Sequence, residues 1–193
     1  MKKLIGITGF ARSGKDTFHQ RCAHYLEKEG QKCFRTAFAD TLKSELDPLL
    51  QEHMGISAFT EDSHDKELIR PLLVTYGTEL RRKMNPNCWI EKIQTIVSEH
   101  LSKNEYVFIT DVRFENEAQW IRMNNGLLVN VSRKNIKPAN HDEHRQGILM
   151  KKYINYNIHW ETFGADHLDR CDEHALPVIA HIVQSQPKFE QVM

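Results

Sequence analysis

Lys3-Leu-Ile-Gly-Ile-Thr8 runs directly into Gly9-Phe-Ala-Arg-Ser-Gly-Lys-Asp-Thr17. A short apolar run bounded by glycine reads as a buried strand, and residues 9–17 have the spacing of a phosphate-gripping loop that opens a helix. Glycines at 9 and 14 let the backbone turn sharply, so that successive N–H groups face a polyphosphate. Lys15 reaches the β- and γ-phosphates, and the helix starting near Asp16 adds the positive end of its dipole. The usual pattern has Ser or Thr directly after the lysine to hold Mg²⁺; here Asp16 takes that place and the hydroxyl moves to Thr17. Strand before and helix after are the context in which this spacing points to a nucleotide-binding enzyme.

Working outward, the first helix carries Phe18, Cys22, Tyr25 and Leu26 on one face and stops at Gly30. A second strand is expected from about Cys33 to Ala39, then a helix from Thr41 to Leu50 with Asp40 as its cap. Gly55 to Asp65 reads as a surface loop. Pro71 and Gly77 are expected to divide Lys66 to Met84 into two helical pieces. Asn85-Pro86-Asn87 starts a helix with Trp89, Ile93, Ile96, Val97 and Leu101 as its apolar stripe. Tyr106 to Thr110 is a further strand ending at Asp111, with a helix from Glu115 to Asn124 and a strand from Leu127 to Val131 after it. Alternating strands and helices imply an α/β fold with a parallel sheet. Past Arg133 the pattern weakens: Lys134 to Arg145 is polar without a period and is expected to be irregular. A short strand near Tyr153 to Ile158 and a closing helix from Ala165 to Val183, with Pro177 inside it, complete the chain, with fraying expected from Ser185.

The length of 193 residues suits a single domain burying roughly 70% of its unfolded surface. Lys plus Arg and Asp plus Glu both number 26, so the formal charge is zero, which argues against a broad basic face for nucleic acid. The four cysteines show no C-x-x-C spacing, and the start of the chain lacks a signal-peptide pattern. The expected compartment is a reducing cytoplasm. No apolar run approaches the ~20 residues of a membrane span.

In a doubly wound sheet the ligand crevice lies outside the carboxyl ends of the strands, so Thr8, Asp40 and Asp111 should converge there. For Asp40 a helix cap is as good a reading as a ligand; for Asp111, with Val-Arg-Phe still to come before the next helix, a role in binding Mg²⁺ is the better one. The candidate cations for stabilising transferred phosphate are Arg12, Lys15, Lys43, Arg81, Arg113 and Arg133. Arg12 and Arg113 stand out by their place beside the phosphate site. His141-Asp-Glu-His144 invites a metal site, but neighbours on an irregular segment cannot easily encircle one ion, and a solvated loop is expected.

Taken together, the loop with its Lys-Asp-Thr variant, Phe38-Ala-Asp-Thr-Leu-Lys43, Tyr76-Gly-Thr-Glu-Leu-Arg81 with Trp89-Ile90, and Ile109-Thr-Asp-Val-Arg-Phe-Glu-Asn-Glu117 resemble the deoxynucleoside monophosphate kinases of bacteriophages. The likeness fades after Arg133, where His141-Asp-Glu-His144 departs from a more usual His-x-Ser-Glu. The resemblance implies a P-loop NTPase-like three-layer α/β/α fold over 1–193, with a helical acceptor-binding region at about 40–103 and a lid at about 133–152. It implies transfer of the ATP γ-phosphoryl group to a deoxynucleoside 5′-monophosphate with Mg²⁺. On that basis Gly9, Ser13, Gly14, Lys15 and Thr17 are expected at the donor phosphates, with Arg133 in a lid over ATP. Asp16, Thr17 and Asp111 are expected at the metal or its waters, and Arg12, Lys15, Asp16 and Arg113 at the transferring group. Asp40, Lys43, Tyr76, Arg81 and Trp89 face the acceptor, although core packing is the simpler reading of Trp89. It also implies small nucleotides rather than nucleic acid or membrane as partners, a homodimer, and, for a phage protein, the host cytoplasm.

Two other readings compete. A P-loop kinase for dephospho-coenzyme A or phosphomevalonate would share the loop and Asp40. A non-catalytic nucleotide-binding regulator is disfavoured because Arg and Lys occur in both halves of the expected cleft and no Asn-Lys-x-Asp guanine signature is present.

Overall fold

The computed structural model describes residues 2–161 and 168–184. At its centre is β1 (Leu4–Thr8), buried along its whole length in a five-stranded, all-parallel sheet of order β2 (Cys33–Thr36), β3 (Tyr106–Val112), β1, β4 (Leu127–Arg133), β5 (Tyr156–Trp160). Parallel strands need crossovers, and α1 (Lys15–Lys28), α5 (Glu115–Met123), α6 (His141–Met150) and α7 (Asp169–Gln184) are the sheet's helices. Side chains alternate across the pleat: Ile5, Ile7, Tyr106, Phe108, Leu127, Val129 and Val131 meet Phe18, Cys22 and Leu26 of α1 and Cys171, Ala175, Val178 and Ile182 of α7. On the other face Gly6 admits Ile121 of α5, Val112 and Leu128 so closely that a Cβ would collide with the isoleucine. Each buried Ile or Phe in these layers contributes about 1.5–3 kcal/mol. The outcome is the three-layer α/β/α arrangement expected from the sequence.

The chain divides into two compact units, one of Met1–Thr36 with Val97–Met193, the other Ala37–Ile96. The second is helical: α2 (Phe38–Met54), α3 (Ser63–Val74), a π-helical stretch Thr75–Arg82, and the first turns of α4 (Cys88–Ser102). Its own core is Leu46, Leu50, Ala58 and Ile69, with Leu42, Ile56, Leu73 and Tyr76 against it.

Several boundaries differ from those expected. The second strand stops at Thr36, and α2 begins at Phe38 with Ala37 as its cap, so Asp40 lies inside the first turn. This helix passes Pro48 and ends at Gly55, whose φ of 66° suits glycine. Asp62 caps α3 by accepting the Asp65 N–H at 3.0 Å, so the loop before it is shorter than expected. Pro71 and Gly77 do not divide the region: helical backbone runs from Ser63 through Arg82 and widens to π pitch at Thr75. Gly77 is a packing glycine, because a Cβ there would run into Leu42. Ile96 lies outside the buried stripe of α4, being 40% exposed, whereas Trp89, Ile93 and Val97 are inside it. β4 reaches Arg133, β5 starts at Tyr156, and α6 is a regular helix where irregular chain was expected. The expected start of the last helix at Ala165 and the end from Ser185 lie outside the described residues. The four cysteines are unpaired, and no helix among the described residues is long and apolar enough to cross a membrane.

Candidate active site

The glycine loop leaves the carboxyl end of the central strand, between the ends of β3 and β4. Thr8 pairs with Val112 on one side and Asn130 on the other. Gly9 (φ 142°) and Gly14 (φ 92°) take positive φ as expected, and Arg12 joins them at 63°. Alternating conformations of this kind turn backbone N–H groups toward one concavity, the geometry that binds anions. At Gly9 a Cβ would strike the Val131 carbonyl oxygen, and at Gly14 it would stand 2.7 Å from Cζ2 of Trp160. The Trp160 indole N–H donates to the Ser13 carbonyl at 2.9 Å, so the end of β5 braces the loop where α1 begins.

Lys15 is half-buried at the start of α1 and folds back over the loop, donating to the carbonyls of Gly9 (2.9 Å) and Phe10 (2.8 Å). Burial first, and then the charge of Arg113, push its pKa below the ordinary lysine value; Asp16, Glu143 and Asp111 act the other way. Lys15, Arg113, Asp16, Asp111 and Glu143 thus lie within electrostatic reach of one point. A bulge helps to bring Asp111 there. Gly6 pairs with Ile109 but Thr8 with Val112, so β3 holds an extra residue at Thr110–Asp111, and such an irregularity re-aims a side chain. Arg113 is exposed just beyond it, its backbone fixed because Glu117 Oε2 accepts both the Arg113 N–H (2.8 Å) and the Phe114 N–H (3.0 Å).

Arg12 and Asp16 are exposed and Thr17 half-buried on the same loop and first turn, and Arg133 ends the strand on the other side of β1. Ser13 differs from expectation. The residue is 0% exposed and its Oγ has no hydrogen-bond partner, while its N–H donates to the Phe10 carbonyl at 3.2 Å and its carbonyl accepts from Trp160, so Ser13 shapes the loop from beneath. Asp16, Thr17 and Asp111 supply the hard oxygen donors that Mg²⁺ takes, and two of them act on the same ammonium. The residues present fit that ion.

The packing of α6 against the loop has no counterpart in the sequence pattern. Glu143 accepts the Ala11 N–H at 3.2 Å, Gly147 faces the Phe10 ring, and Met150 Sδ receives the Thr8 hydroxyl at 3.9 Å. Residues 143, 147 and 150 are one helix face. Asn140 caps this helix through the Glu143 N–H (2.8 Å), so the polar tetrad from His141 to His144 is its first turn.

Within the helical unit, Tyr76, Arg81 and Trp89 come together around Glu45, a residue that belongs to none of the sequence motifs. Its carboxylate accepts the Tyr76 hydroxyl (2.9 Å), the Lys92 ammonium (2.9 Å) and, more loosely, Arg81 Nη2 (3.5 Å). The Arg81 guanidinium lies 5.9 Å from the Tyr76 ring centre and 5.5 Å from that of Trp89. Trp89 is 2% exposed and spends its indole N–H on the Gly77 carbonyl, which makes it the floor of the cluster rather than a surface for a ligand. Lys43 is not part of this group. Two residues from Glu45 on α2, about 200° around the helix, it packs over Phe59 at 5.4 Å. Asp40 lies one turn before Lys43 and shares its face.

The family model of phosphomevalonate kinase matches residues 7–126, from the loop strand to the end of α5. The chain belongs to the phosphomevalonate kinase family. As a member it is a P-loop kinase, an ATP-dependent phosphotransferase; kinases of this type use ATP and usually Mg²⁺. A protein of Acanthamoeba polyphaga mimivirus, provisionally named a deoxynucleotide monophosphate kinase, is 28% identical over 172 residues, covering 80% of this chain and 86% of its own. The dephospho-CoA kinase from Campylobacter jejuni superposes with a TM-score of 0.48 at 16% identity, over 94% of this chain and 100% of that one.

Proposed function

We propose that this kinase phosphorylates deoxynucleoside 5′-monophosphates, transferring the γ-phosphoryl group of ATP to give the diphosphate and ADP. The observation that carries the reading is the gathering of Lys15, Arg113, Asp16 and Asp111 around the glycine loop. The choice of acceptor is supported by the mimivirus relative, whose similarity extends over more of the chain than the family model, and by the resemblance of the four sequence motifs to those of the phage enzymes.

The nucleophile is an oxygen of the acceptor phosphate, already ionised near neutral pH, so no strong general base is needed. It bonds to the γ-phosphorus while the bond to the β–γ bridging oxygen breaks, and the electron pair leaves with ADP. Loop N–H groups and Lys15 hold the donor phosphates; Arg12 and Arg113 offset the negative charge spread over the transferring group. Asp16, Thr17 and Asp111 would hold Mg²⁺, which when bound would supply further charge neutralisation on the donor. In the helical unit Arg81 binds the acceptor phosphate, with Tyr76 beside the base; Asp40 and Lys43 lie on the other face of α2 and take no part in this pocket. Arg133 and α6 cover the donor as a lid that limits hydrolysis.

Phosphomevalonate is the second reading, favoured by the family match itself. ADP release measured over the four common deoxynucleoside monophosphates, their ribose counterparts, phosphomevalonate and dephospho-coenzyme A separates the two. Turnover is expected with at least one deoxynucleotide; turnover with phosphomevalonate and none of the nucleotides would end the proposal.

A further inference from the structure

We infer that Glu45 is a positioning residue for the acceptor phosphate, acting through Arg81 and Lys92. The inference rests on the reading of Arg81 as an acceptor contact. Arginine and lysine on solvated helices carry much rotamer freedom, which a binding site must remove before their charge is of use. Here one carboxylate removes it in advance. Lys92 Nζ and Arg81 Nη2 both lie on Oε1, at 2.9 and 3.5 Å, while Oε2 is held by the Tyr76 hydroxyl at 2.9 Å. Tied at both oxygens, the carboxylate has no free rotation, and two cations from different helical segments are gathered on one anion. The excess positive charge of this triad suits a phosphate monoester.

The supporting groups are fixed in turn. The Arg81 guanidinium lies near the faces of Tyr76 and Trp89, and Trp89 is anchored on the Gly77 carbonyl at 3.3 Å. Glu45 itself is only 21% exposed at the side chain, against 34% for Arg81 and 48% for Lys92, so the carboxylate lies beneath and the cations face outward. Arg81 and Lys92 line a cavity of about 350 Å³ together with Met84, Asn85, Cys88 and Glu91, the last bonded to Asn85 at 2.8 Å. A carboxylate that only stabilised the helices would serve donor and acceptor alike. One that aims two cations serves the acceptor alone.

The test is a double-mutant cycle of Glu45→Ala and Arg81→Ala, reading acceptor KM, donor KM and kcat with the deoxynucleotide that the wild type turns over best. Glu45→Ala is expected to raise acceptor KM about tenfold and leave donor KM within twofold. In the Arg81→Ala background its effect should shrink to under threefold, the remainder passing through Lys92. Glu45→Gln, which keeps the shape and an acceptor oxygen, should restore most of the affinity; if Glu45→Ala does not fold, Glu45→Met, which keeps the length and volume but removes both oxygens, replaces it in the cycle. Equal rises in both KM values, or an effect of the same size in both backgrounds, would overturn the inference. If the wild type turns over phosphomevalonate and no deoxynucleotide, the acceptor reading falls alone, and the same cycle on phosphomevalonate still decides the role of Glu45.

Discussion

Gly14→Ala perturbs the loop at the point where two costs meet. The residue has φ 92°, a conformation that costs an L-residue about 1–2 kcal/mol. Its Cβ would also stand 2.7 Å from Cζ2 of Trp160 and 3.1 Å from Cε2 and Nε1. That ring cannot retreat easily. It is 3% exposed, with Phe18 at 6.3 Å and His174 at 6.1 Å between centroids, and moving it breaks the bond to the Ser13 carbonyl. Overpacking of this kind costs about 1–3 kcal/mol, and leaving a buried carbonyl unpaired costs a similar amount. Taking these two as alternatives, since relieving one incurs the other, the total is about 2–5 kcal/mol. At this chain length that lowers Tm by roughly 5–20 °C. Gly30→Ala is the internal control: φ is 71° and nothing lies within 4 Å of the added Cβ, so it carries the conformational cost alone. Thermal unfolding of both variants therefore isolates the indole contact as a difference of about 1–3 kcal/mol, and donor KM should rise only for Gly14→Ala. Equal losses in the two variants would refute the bracing of the loop by Trp160.

Ser13→Ala removes a buried hydroxyl without a partner, so stability should hold or rise by about 1 kcal/mol and donor KM should stay within twofold; a tenfold rise in donor KM would return the hydroxyl to the site. Arg113→Ala should depress kcat by two orders of magnitude or more with little change in donor binding, and an unchanged kcat removes Arg113 from the mechanism. Asp172 accepts from Arg21 and from the Tyr25 hydroxyl (2.7 Å), joining α7 to α1, and the Arg21 hydrogen bond holds its carboxyl below the ordinary value of 3.8. A depressed carboxyl stabilises the fold fully above its unfolded pKa and loses that contribution as pH falls through the folded one. Asp172→Asn should therefore cost about 1–2 kcal/mol at pH 7, with the gap to wild type closing below pH 3.8; a gap that persists in acid would contradict the ion-pair account.

The loop, its strand and its helix were legible because glycine spacing and a buried apolar run are local signals, and β1, α1 and the gathering at Asp111 came with them. Supports formed between distant segments escaped. Glu143, Gly147 and Met150 form the face of α6 that meets the loop, but Glu and Gly give no apolar period, so a regular helix read as irregular chain. Glu45 and Trp160 act on partners 31 and 147 residues away, and nothing in their own neighbourhoods marks them. Glu117 left a trace, since a glutamate three residues after a helix cap is the pattern that reaches back to free N–H groups, although Phe114 has no side-chain acceptor to complete it. Pro71 and Gly77 misled because proline and glycine break isolated helices, whereas here packing of Leu42 and Trp89 over Gly77 retains a continuous, widened one.

The decisive measurement traces the label of γ-labelled ATP in the presence of a deoxynucleoside monophosphate, for the wild type and for Lys15→Ala. Label should appear in the deoxynucleoside diphosphate in step with ADP, and Lys15→Ala should lose this transfer while unfolding within a few degrees of the wild type. Label found only in inorganic phosphate, or transfer undiminished in Lys15→Ala, would contradict a kinase built on this loop.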